Sequence, residues 1–167
     1  MPTNSEPARR RGRLALVATL FLAAAGLAGC REDWQAATYP ASGRLTINGQ
    51  PAAGALVQLV PRGAAPDERN SRPWGKVAPD GSFTLATYQG EAGAPPGEYG
   101  VAITWPVDAS VLGSPDRLGG KLAEGAPALP AVTIKAEPTT IPPIELTGLK
   151  VSDSPRPNTA ATRVFQP

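Results

Sequence analysis

Proline and glycine interrupt this chain too often for it to build long helices. It has 20 prolines and 18 glycines among 167 residues, and neither recurs with the period of three that a collagen helix requires. These residues end helices and make turns, so the chain reads as short strands joined by turns. The clearest strand is 97–105, Gly-Glu-Tyr-Gly-Val-Ala-Ile-Thr-Trp. Side chains alternate along a strand, which puts Tyr99, Val101, Ile103 and Trp105 on one face and Gly100, Ala102 and Thr104 on the other. Residues 43–47 also alternate, with Leu45 and Ile47 on one face, and they run into Asn48-Gly49, the strongest short hairpin signal. Residues 55–60 are the expected returning strand. A second turn, Pro79-Asp80-Gly81, precedes 82–88, where Phe83 and Leu85 share a face. Residues 131–136 and 144–147 complete the set, and 75–78 is a weaker seventh candidate.

The expectation is an all-β fold: a single antiparallel β-sandwich of six to seven strands, spanning 39–147. Its core should hold Tyr99, Val101, Ile103 and Trp105 with Leu45, Ile47, Val57, Leu59, Phe83 and Leu85. Outside the N-terminus no segment has sustained helical periodicity, and the sequence allows no more than a short turn of helix around 114–122. Residues 106–130 form a connection rich in glycine, proline and alanine, of a length that goes with function or disorder. Residues 148–167 carry Ser-Pro-Arg-Pro-Asn and few apolar side chains, the composition of a flexible C-terminal tail.

The N-terminus has a different logic. Arg9, Arg10, Arg11 and Arg13 precede an apolar run of 14 residues, 14–27, broken only by Thr19. A permanent span needs about 20 apolar residues, so the run is short for a membrane helix. Arg31, Glu32 and Asp33 follow closely. A basic segment, an apolar segment and small residues make an export signal, here 1–29. The sequence Leu27-Ala28-Gly29-Cys30 resembles a lipobox, the cleavage motif of bacterial lipoproteins. That resemblance implies a diacylglycerol thioether on Cys30, cleavage before it, and a short lipidated tether over 30–38. Two acyl chains anchor a protein stably where one does not. Arg31, not an aspartate, follows the cysteine, and by resemblance to sorting in diderm bacteria this favours the outer over the inner membrane.

Charge and composition exclude several classes of chemistry. The net charge of +2 belongs to the whole chain. Four of its 16 basic residues and one of its 14 acidic residues precede the cysteine, which leaves 12 and 13. A nearly neutral, scattered charge gives no footprint for nucleic acid. The chain contains no histidine, so a Ser-His-Asp arrangement cannot exist and the commonest neutral metal ligand is missing. The single cysteine excludes an internal disulfide and a cysteine-based zinc site. Asp80 lies in a Pro-Asp-Gly turn, where aspartate caps backbone. Asp67 and Glu68 read as a solvated loop. No catalytic residue, cofactor or metal is expected.

Residues 42–57, Ser-Gly-Arg-Leu-Thr-Ile-Asn-Gly-Gln-Pro-Ala-Ala-Gly-Ala-Leu-Val, followed by Asp80-Gly81-Ser82-Phe83 and Gly97-Glu98-Tyr99, are similar to carboxypeptidase-regulatory-like domains. These are transthyretin-like or Ig-like sandwiches of bacterial surface proteins. The resemblance covers about 39–147 and implies a fold far more than a function. This chain departs from the pattern by inserting the polar loop 62–74. Transthyretin-like hydrolases depend on histidines that are missing here.

The function expected is therefore that of a non-catalytic, membrane-anchored surface lipoprotein with a structural or protein-interaction role. The alternative is a carbohydrate- or peptide-binding module using Trp34, Trp74 and Tyr88. The partners expected are the membrane, through the lipid, and an envelope protein or a glycan. Counting chain reversals puts Asn48-Gly49, Pro79-Asp80-Gly81 and 106–130 at the end away from Cys30. It puts 62–74 and 89–96 at the end near it. Loops on a rigid sandwich commonly carry function, so Arg117 and Lys121 in 106–130 are the candidate partner contacts.

Overall fold

The computed structural model describes residues 32–89, 91–123 and 129–153. The expected signal 1–29, Cys30 and the chain beyond 153 lie outside the described residues. The described fold is all-β, with no helix and two mostly antiparallel sheets. The short turn of helix that the sequence allows around 114–122 does not form; turns occupy that stretch.

The smaller sheet is built around β1 (Ala41–Ile47). On one side β1 pairs antiparallel with β5 (Ser82–Thr84) and with the two-residue β2 (Gln50–Pro51). On the other side it pairs with β10 (Thr139–Thr140) and then β11 (Ile144–Leu146), both parallel. This corrects the expectation of a wholly antiparallel sandwich. The last segment reaches β1 from the end where β1 itself begins, so it must run in the same direction. Pro142 and Pro143 lack the N–H a ladder needs, and they divide the segment into its two short strands.

The larger sheet runs in the order β7 (Glu91–Ala92), β6 (Ala86–Tyr88), β4 (Trp74–Lys76), β3 (Leu56–Pro61), β8 (Gly97–Thr104), β9 (Val132–Ile134). All its pairings are antiparallel. Asn48 and Gly49 do form the tight turn, with φ of 53° and 78°, as a two-residue hairpin loop demands. Its return is only β2, however, because β3 crosses to the other sheet and pairs with β4 and β8. The expected strand 82–88 likewise divides between the sheets. The corner is tight: a Cβ on Gly75 would lie 2.3 Å from the Thr84 carbonyl oxygen.

Between the sheets lies one core. Leu45, Ile47, Val57, Leu59, Phe83, Leu85, Tyr99, Val101 and Ile103 are all buried in it, joined by Ile134, Ile141 and Ile144. Tyr99 donates its hydroxyl to the Pro95 carbonyl at 2.9 Å, and burial pushes its pKa up to about 12. Trp105 departs from expectation. It is only partly buried against the core, at the end of the sandwich, and its indole N–H donates to the Ala53 carbonyl at 3.0 Å.

The loops fall at two ends. At the near end, where the domain's first residues join it, Tyr39 and Ala94 exchange hydrogen bonds, Arg62 N–H donates to Glu98 and Thr139 N–H to Pro40. At the far end lie the Asn48 turn, residues 53–55, the Asp80 turn and the start of the 106–130 connection. Residues 148–153 also bind there. Leu149 packs on the core, the Asn48 side chain makes two hydrogen bonds to its backbone, and Ser152 N–H donates to the Arg117 carbonyl. The chain thus stays bonded to the sandwich beyond the expected boundary at 147.

Candidate functional site

Residues 106–123 do not hang free. They double back along the edge of β8 that β9 leaves uncovered: Ile103 N–H donates to Leu122 and Arg117 N–H to Trp105. The turn is organised by one carboxylate. Asp116 accepts from the backbone N–H groups of Trp105 at 2.8 Å, Leu118 at 3.1 Å and Gly120 at 2.9 Å. Leu118 and Leu122 are buried in the core, so the segment closes the side of the sandwich. Of the two candidate contacts, Arg117 is engaged within the domain, with Asp153, the Val107 carbonyl and the Trp105 ring 5.5 Å from its guanidinium. Lys121 is exposed. Neither of them lines the two cavities described next.

What the doubled-back segment does create is a groove on the outer face of the larger sheet. The register puts Trp74, Gln58 and Ala102 in a row across β4, β3 and β8, with Leu56 and Thr104 in the next row. The outward residues at 100, 102 and 104 of β8 are small, which leaves space between Trp74 and Ala123. That cavity is about 340 Å³, lined by Leu56, Gln58, Trp74, Ala102, Thr104 and Ala123. A second, of about 470 Å³, shares Leu56 and Thr104 and runs under residues 109–114. Trp74 is 49% exposed, and the neighbouring Val111 and Leu112 are also open to solvent. Towards the near end the groove stops at Arg62, whose side chain lies over Gly100.

The three aromatic candidates therefore separate. Trp74 alone faces this groove. Trp34 and Tyr88 meet at the near end, edge to face, with ring centres 5.4 Å apart, and the Arg69 guanidinium stacks 3.8 Å over Trp34. The Tyr88 hydroxyl donates to Asp67 at 2.7 Å and accepts from Ala36 N–H at 2.9 Å. Partial burial pushes the Asp67 carboxyl up, but hydrogen bonds from Tyr88, Ser71 and Arg69 outweigh it and hold the group below its usual range.

Two further aspartates cap turns. Asp80 accepts from the Ser82 hydroxyl and N–H, and Asp108 does the same with Ser110. These bonds lower both pKa values, as turn-capping aspartates should show. Among the described residues no three potential ligands gather to hold a metal. Sequence reasoning had assigned Gly100, Ala102 and Thr104 to the outward face; it missed that Trp74 stands across the sheet from them, which only the register reveals. Compared with known proteins, the chain matches no family model and no curated protein.

Proposed function

We propose that this chain is a non-catalytic surface lipoprotein, anchored in the cell envelope through Cys30, with a protein-interaction role served by the Trp74 groove. The outer membrane is the proposed location, and a carboxypeptidase-regulatory-like domain the proposed ancestry. The observation that carries the interaction role is a half-exposed tryptophan beside an open groove with few polar groups. Contiguous exposed apolar surface of this kind is where proteins dock, and tryptophan is prominent among residues that dominate interface energy. Among the described residues, the polar side-chain groups lining the part of the groove beside Trp74 are those of Gln58 and Thr104 and the Trp74 indole N–H. That favours an apolar segment of a protein over a sugar, which needs several convergent hydrogen bonds. The non-catalytic reading is supported by the use of Asp67, Asp80, Asp108 and Asp116 as backbone caps.

Three experiments test this. Labelled fatty acid should enter the natural chain and not Cys30→Ala; equal labelling would end the lipoprotein reading. A photo-crosslinking residue at Gln58 should trap an envelope protein, and a glycan array should stay blank. Retention of a sugar through Trp74 would replace the protein partner with a carbohydrate.

A further inference from the structure

We propose that the near end of the sandwich rests on the lipid surface, because the link between anchor and domain is too short and too firmly docked to act as a flexible tether. The inference builds on the lipoprotein reading of Cys30. Only Arg31, Glu32 and Asp33 separate that cysteine from Trp34. Four residue steps span at most about 14 Å when fully extended. From Trp34 onward the chain belongs to the domain: its ring is held between Tyr88 and Arg69, Ala36 N–H bonds the Tyr88 hydroxyl, and Tyr39 pairs with Ala94. Tyr88 is itself fixed by Asp67. The polar insertion 62–74 supplies both Arg69 and Asp67, so the mount is what this inserted loop builds.

The lipid surface is met without a preference for charge. The exposed cations Arg62, Arg69 and Arg72 share this end with Asp67, Glu68 and Glu98, and Lys135 pairs with Glu137 at 3.7 Å. With the exposed Glu32 and Asp33 of the link added, the described surface is balanced to slightly acidic and has no net attraction to anionic lipid. Covalent reach sets the contact, so salt should not release it. The eight-residue β8 then carries its far end about 25 Å further out, and the Trp74 groove and Leu112 are presented at a fixed height.

The thiol of Cys30 is consumed by its lipid, so Ala64→Cys at the near end or Leu112→Cys at the far end each gives one site for a fluorophore. The full lipidated chain is placed in vesicles of zwitterionic phospholipid carrying a headgroup-linked nitroxide quencher, with lipid on Cys30 checked by mass. Position 64 should be quenched several-fold more than position 112, equally at low and high salt. A long Gly/Ser spacer inserted after Asp33 leaves the folded domain untouched and should erase the difference, as should Trp34→Ala. Equal quenching at the two positions with Cys30 lipidated overturns the mount and leaves the lipoprotein reading standing. A Cys30 without lipid overturns both.

Discussion

The two faces of β8 have different tasks. Inward, Tyr99, Val101 and Ile103 are large and fully enclosed. Outward, Gly100, Ala102 and Thr104 are small, and two of them line a groove. One strand thus holds the sandwich together with one set of alternating residues and leaves room for a partner with the other. The inner face should be sensitive to volume, whereas the outer face should tolerate change in stability terms while remaining sensitive in binding.

The largest effect belongs to the inner face. Ile103→Ala removes a buried side chain from a close-packed core and should cost about 2–5 kcal/mol, read by urea unfolding. A loss below about 0.5 kcal/mol, the scale of surface changes, would mean that the faces are assigned backwards.

Next comes the strap at 148–153, which clasps the far end beside the groove. A chain ending at Gly148 loses the packing of Leu149, two bonds to Asn48 and one to Arg117. Each such hydrogen bond contributes about 1 kcal/mol net, so the melting temperature should fall by several degrees. No change would return this segment to the loose tail that its composition suggests.

A smaller effect distinguishes the near end. The Asp67 pKa is lowered in the folded state, so its hydrogen bonds contribute stability at pH values above the ordinary carboxylate range. That contribution is lost as pH falls through the lowered folded value. Unfolding stability should therefore decline below about pH 4 by less in Asp67→Asn than in the natural chain. Identical acid profiles would show that the Trp34 mount does not depend on this carboxylate.

Alternation made the inner face legible from sequence: Leu45, Ile47, Val57, Leu59 and Tyr99 through Ile103 follow a local period of two. Pairing did not follow the same way. The parallel contact of β1 with β10 and β11 joins residues nearly a hundred positions apart, and no local pattern encodes it. The sheet change at Leu85 depends on the Thr84 carbonyl meeting Gly75, which is a tertiary contact. The order within residues 106–123 was not legible, because it comes from Asp116 and the edge of β8 and not from periodicity. For the groove, the small outward residues were visible, but the wall opposite them was not, since Trp74 reaches it only through the register of β4 on β3.

The division between the faces is tested most directly by measuring stability and partner capture on one variant, Trp74→Ala. Its unfolding free energy should stay within about 0.5 kcal/mol of the natural chain, while retention of the crosslinked partner should fall by at least about tenfold, the scale of an interface hot spot. A variant that loses stability but keeps its partner would contradict that division.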